Sequence, residues 1–103
     1  MQQQQECSNE LYSLILNSLN ETRTKYIDTD VYCVHINVND TLEIKEFLVK
    51  RVYRGQGYGL SLARKLQQSP MNITIVSCLS PKLQRILKYT GWRTDDSFDY
   101  TNH

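Results

Sequence analysis

Long apolar runs are absent from this chain. None approaches the ~20 residues that a membrane-spanning helix needs, so no membrane partner is expected. The opening Met1-Gln2-Gln3-Gln4-Gln5-Glu6 has neither the positive start nor the apolar stretch of a secretion signal. Cysteine is scarce and odd in number, and Cys7, Cys33 and Cys78 lack motif spacing. That excludes a disulfide framework, gives no metal-ligand pattern and points to a reducing, cytoplasmic setting. Cys33 and Cys78 lie in β-branched runs and read as buried thiols. Nothing beside Cys78 would lower its pKa, which sets aside a nucleophile there. Net charge is only +1, so the molecule as a whole carries no nucleic-acid signature. Acids are missing locally: Lys50, Arg51, Arg54, Arg64 and Lys65 fall in a stretch with none. Five cations without a series of aromatics to stack bases do not make a nucleic-acid groove.

What is present suffices for one domain spanning 1–103, since 40% of its 103 residues are hydrophobic. Residues 1–7 are polar and expected to be disordered. Leu11, Leu14, Ile15 and Leu19 recur at helical spacing from Glu10 to Glu21, with Ser8 or Asn9 as cap. A short strand fits near Thr24–Ile27. Asp30 to Asn39 alternates, with Val31, Cys33 and His35 on one side and Tyr32, Val34, Ile36 and Val38 on the other. Asn39-Asp40 then turns the chain into a second strand, Leu42 to about Lys50, paired antiparallel.

A helix from about Gly57 to Gln68 carries Leu62, Ala63 and Leu66 inward and stops before Pro70. Asn72–Cys78 is β-branched and short, a strand that should run parallel to the preceding one through a right-handed crossover. Ser80-Pro81 caps a last helix with Leu83, Ile86 and Leu87 inward, ended by Gly91. Trp92–Thr94 and Phe98–Tyr100 are expected to close a hairpin around Asp95-Asp96-Ser97. The fold class is therefore α/β (α+β): an antiparallel hairpin, then strand, helix, strand.

Glycine is scarce too, and three of the four lie in Gly55-Gln56-Gly57-Tyr58-Gly59. Glycine weakens a helix start relative to alanine, so something needs bare backbone there. The unpaired N–H groups and dipole of a helix start favour an anion, and Arg54, Arg64 and Lys65 add charge nearby. A phosphate-bearing ligand follows; a structural turn with no ligand is the alternative. A P-loop is excluded because no Lys-Ser or Lys-Thr follows. The dinucleotide pattern fails at Leu60, and its acid ~20 residues on is missing. A kinase glycine loop needs a far longer chain.

Arg54-Gly55-Gln56-Gly57-Tyr58-Gly59 fits Arg-x-x-Gly-x-Gly. Preceded by Phe47-Leu48-Val49-Lys50-Arg51-Val52-Tyr53, it resembles the central motif of the GNAT superfamily of acyl-CoA N-acyltransferases. The resemblance runs from about Val31 to Trp92, and Ser80 stands where the family has an Asn. It implies a mixed sheet with splayed central strands. Acetyl-CoA would serve as co-substrate, bound by Phe47, Leu48, Val49, Arg54, Gly55, Gln56, Gly57, Tyr58, Gly59 and Ser80. The pantetheine arm would lie between the splayed strands, with the amide near Val49 facing the thioester oxygen.

Transfer of an acetyl group to an amine needs a base, while a thiol of pKa ~8.5 leaves without a strong acid. Glu43 lies eleven residues before Arg54, the spacing at which some family members place a catalytic glutamate. Strict alternation puts Glu43, Lys45, Phe47 and Val49 on one face and Glu46 on the other, which favours Glu43. A solvated strand-end carboxylate is the alternative. His35 is a possible relay but reads first as a packed or exposed strand residue. The family's tyrosine acid falls on Leu87 here; Tyr89 is the substitute candidate, otherwise a packing residue. Only ~30 residues precede Val31, so the N-terminal part is reduced and the acceptor side open. The expected acceptor is an amine on a protein or peptide, unless a homodimer supplies the wall. The rival expectation is a weak or inactive coenzyme A-binding module acting through protein contact.

Overall fold

The two alternating segments form the centre of a five-stranded sheet in the computed structural model, which describes residues 2–20, 23–39, 41–95 and 97–103. The order of elements is α1 (Gln2–Ser18), β1 (Thr24–Asp28), β2 (Tyr32–Val38), β3 (Leu42–Val49), a 3-10 turn (Arg51–Tyr53), α2 (Tyr58–Gln67), β4 (Ile73–Ile75), α3 (Pro81–Tyr89) and β5 (Tyr100–Thr101). Strands lie side by side in chain order, antiparallel throughout except for the parallel β3–β4 pair. The fold is α+β with a mixed sheet. Among the described residues, no helix is long and apolar enough to cross a membrane.

One sheet face carries Ile27, Tyr32, Val34, Ile36, Leu42, Ile44, Ile73, Ile75 and Tyr100, all buried. Leu11 and Ile15 of α1 and Leu62, Ala63 and Leu66 of α2 are buried with them in one core. The other face presents Tyr26, 62% exposed, with Glu46 and Leu48 also exposed. No described helix has its apolar side chains there.

Three expectations are corrected. Residues 2–7 are helical, because Ser8 is fully buried and ties this turn down: its Oγ donates to the Gln4 carbonyl, bonds the Tyr32 hydroxyl at 3.2 Å and meets Ser61 Oγ at 2.8 Å. Ser8 is thus an interior residue of α1 and not its cap. Second, β4 spans three residues and not seven. Ser77 takes a left-handed conformation, φ 54°, held by Asp99, whose Oδ1 accepts the Ser77 N–H. Third, the closing hairpin reduces to one bridge, Arg93 to Thr101, while β5 adds to the sheet beside β4. Met1, Glu21, Asp40 and Asp96, which those expectations included, lie outside the described residues.

The remaining elements follow their signals. Gly91 ends α3 at φ 94°, as a left-handed residue should. The next residue, Trp92, is buried and donates its indole N–H to the Ala63 carbonyl at 3.0 Å, fastening α3 to α2.

Candidate functional site

Strands β3 and β4 part early. Their ladder covers Leu42–Ile44 against Ile73–Ile75, and its last bond runs from Val76 N–H to the Ile44 carbonyl. Beyond it, Ser77 turns the chain away while β3 continues to Val49. The Lys50 amide bonds the Val31 carbonyl at 2.7 Å, so the preceding residue, Val49, turns its own N–H away from β2 and toward the gap.

At the mouth of this gap the 3-10 turn delivers Gly55 and Gly57 at φ 77° and 89°, a region closed to most L residues. No atom would meet a Cβ at either within 4 Å, so conformation requires these glycines and the space before them is empty. Gly59 differs: it lies in α2, and a Cβ there would make only ordinary contact, 3.5 Å from Val49 and 3.7 Å from Ile86. Among the described residues no acceptor is found for the amides of residues 55–60. The first bond of α2 runs from Ser61 to the Gly57 carbonyl, and Gly57 offers no capping side chain. A run of free N–H groups at a helix start is an anion cradle.

The cavity before these amides measures about 420 Å³, a size usual for a small-molecule site. Every residue expected to hold coenzyme A lines it except Gln56, which faces the other side of the loop. Sequence reading missed Tyr53, Leu60, Lys82, Leu83 and Ile86. Leu83 and Ile86, inward at helical spacing, are half-buried: they pack against the core and also form the cavity's apolar wall. Lys82 was read as facing water, and it brings a cation to the rim.

The N-terminus of α3 reaches the same cavity. Ser80 caps it, its Oγ accepting the Leu83 amide, and Pro81 follows as first helical residue. Two helix starts, Arg54 and Lys82 thus border one space that no described carboxylate lines. Arg54 is anchored by its Nε donating to the Val49 carbonyl at 2.9 Å, which leaves its terminal nitrogens for a ligand. Tyr58 is buried, edge-on to both Tyr32 and Tyr53, and burial pushes its phenol above the ordinary value.

The candidate catalytic groups stand elsewhere. The β2–β3 register pairs Ile36 with Ile44 but His35 with Glu46, so Lys45 is an extra residue, a bulge. The bulge overturns the alternation argument. Glu43 pairs with Asn37 and Glu46 with His35, both on the open face, whereas Phe47 and Val49 share the inner face. Glu43 does not share a face with Val49 and cannot be preferred to Glu46 on that ground. It remains beside the apex where β3 and β4 part, and its Oε1 accepts from Asn37 Nδ2 at 3.1 Å. His35 stacks on Tyr26 at 4.0 Å, and its Nε2 is buried without a partner.

Tyr89 is 75% exposed and does not line the cavity; it is not brought to the site. Leu87, at the family's tyrosine position, is wholly buried. Burial raises the thiol pKa of Cys7, Cys33 and Cys78, so none is a ready nucleophile. Of the clustered cations, Lys50 pairs with Asp28 at 2.6 Å. Arg64 and Lys65, expected near the phosphate, do not line this cavity.

A comparison with protein-family models finds none that matches the chain, and no curated protein matches it.

Proposed function

We propose that this chain is an acetyl-CoA-dependent N-acetyltransferase of the GNAT type, acting on an amine of a protein or peptide. One observation carries the reading: a run of unpaired amides, residues 55–60, lies at the mouth of a gap between two parting parallel strands. Coenzyme A suits both halves of that arrangement. Its diphosphate matches the amides, Arg54 and Lys82, and its pantetheine matches the backbone of β3 beside the apolar wall of Leu83 and Ile86.

The chain's own residues then divide the work. The Val49 N–H, turned toward the gap, offers a hydrogen bond to the thioester oxygen as negative charge develops. Glu43, oriented by Asn37 on the open face, is the candidate base; six strand residues, about 20 Å, separate it from Val49, so it takes the amine proton through bridging water. The amine nitrogen forms the bond to the carbonyl carbon as the thiolate leaves. No residue is asked to protonate the thiolate, consistent with Leu87 at the family's tyrosine position. The sheet face with Tyr26, Glu46 and Leu48 exposed supports a macromolecular acceptor, since it is open to a large partner.

Calorimetry with acetyl-CoA, followed by thiol release against a protein extract, tests the reading. Binding with release is the expected result; no binding overturns it. A second reading, a coenzyme A-binding module without turnover, is favoured by Tyr89 lying outside the cavity. Binding without release in any extract would select it.

A further inference from the structure

Arg64 and Lys65 line a second hollow of about 550 Å³ between the N-terminal half of α1 and α2. Gly57 and Leu60 border both hollows, so the two lie on either side of the glycine loop. Its described lining contains no carboxylate. Among the described residues neither cation has an ion-pair partner, and Lys65 Nζ rests over the Tyr12 ring at 5.3 Å from its centre. Two cations facing a described lining without an acid leave the hollow electropositive, and an anion there would offset their charge.

A second observation narrows the ligand. Gln4 spends its Nε2 on the Gln56 carbonyl at 2.8 Å, and its Oε1 is buried with no partner. A buried acceptor left unpaired costs about 1–3 kcal/mol. The ionised phosphoryl group of a monoester cannot satisfy it, because its oxygens carry no proton to donate. A hydroxyl or amino group can. Ser61, Asn9 and Gln68 add further hydrogen-bonding groups to the wall.

We propose that the hollow between α1 and α2 is a site for a phosphate monoester carried on a sugar or nucleoside. Arg64 and Lys65 bind the phosphate, and Gln4, whose Oε1 is shut from solvent here, turns it outward to accept from a hydroxyl or amino group. Two sources share this chemistry. One is the ribose 3′-phosphate of coenzyme A bound across the loop, which rests on the function proposed above. The other is a free nucleotide.

The test uses the full chain, isotope-labelled, titrated with adenosine 3′,5′-bisphosphate and inorganic phosphate while the amides of residues 61–68 are followed. Calorimetry compares coenzyme A with dephospho-coenzyme A. Both are repeated in Arg64→Ala/Lys65→Met, which keeps an apolar stem over Tyr12, and in Gln4→Leu. The bisphosphate is expected to shift those amides and to bind more tightly than phosphate. The double variant should weaken it roughly tenfold or more, the scale of one charge-assisted hydrogen bond. Tighter binding of coenzyme A than of its dephospho form assigns the phosphate to the acyl donor; equal binding assigns a free nucleotide. Unshifted amides, or equal bisphosphate affinity in wild type and double variant, overturn the site even if coenzyme A binds. Failure of both coenzymes to bind, with the bisphosphate response intact, overturns the acetyltransferase reading and leaves the site standing.

Discussion

The Tyr32 hydroxyl, on β2, donates to the Tyr58 carbonyl in the first turn of α2 at 2.7 Å. Through Ser8 it also joins α1 to the same point, so three elements meet beneath the glycine loop. The orientation of the free amides above depends on this buried knot.

Tyr32→Phe should therefore lower stability by about 1–2 kcal/mol, the cost of an orphaned buried carbonyl. Acetyl-CoA affinity should fall with it, measured by calorimetry well below the melting temperature. Burial pushes the Tyr32 phenol up to about 12. A folded pKa above the unfolded value of ~10 means that its contribution is whole below pH ~10 and is lost as pH rises toward 12. Melting temperatures taken from pH 8 to 12 should fall more steeply in wild type than in Tyr32→Phe. Parallel curves would remove Tyr32 from the knot.

The glycines separate conformation from access. Gly57→Ala forces a side chain into a left-handed position and should cost about 1–2 kcal/mol of stability. Gly59→Ala sits in a helix with ordinary contacts and should be neutral or stabilising by up to about 1 kcal/mol. Yet, on the proposed function, it should weaken acetyl-CoA binding, because the new methyl would stand among the amides proposed to meet the diphosphate. A stabilised protein with unchanged affinity would mean that the ligand does not approach this turn.

For proton transfer, Glu43→Gln should leave acetyl-CoA affinity intact and lower kcat by roughly 10²–10⁴-fold. Glu46→Gln is the necessary partner experiment, since the bulge puts both carboxylates on the open face. Asn37→Ala should lower the rate less than Glu43→Gln does, because it removes only the group that orients the carboxylate. A larger loss from Glu46→Gln than from Glu43→Gln would transfer the role.

That ambiguity shows where sequence reading stopped. Hydrophobic alternation was enough to place β2, β3 and their pairing, and proline, serine and glycine signals fixed α3 and its end at Gly91. The glycine loop and most of its cavity were legible because Gly55 and Gly57 need positive φ and a strand and helix flank them. The bulge was not, since Lys45 is an ordinary strand residue and only the register with β2 reveals it. One inserted residue moved every side chain behind it to the other face. The start of α1 was hidden for a different reason. Its polar glutamines form no apolar stripe, and the helix is held by a buried serine network that local sequence does not encode. The second hollow depends on that same turn and was equally invisible.

The width of the gap is set at Ser77, where a residue other than glycine is held at φ 54°. Its N–H is fixed by Asp99, and the Cys78 N–H bonds the Phe98 carbonyl at 2.8 Å, so the segment before β5 pulls β4 away from β3. Asp99→Ala removes an exposed hydrogen bond to a charged acceptor and should cost about 1 kcal/mol. Ser77→Val should cost more, because a β-branched side chain is poorly tolerated at positive φ. Ser77→Gly should relieve the same strain without changing the path of the chain. If the parting of the strands admits the pantetheine arm, acetyl-CoA affinity should drop in Asp99→Ala and Ser77→Val and persist in Ser77→Gly. Equal affinity in all three, measured by calorimetry on folded protein, would mean that the ligand is held at the glycine loop alone and that the gap plays no part.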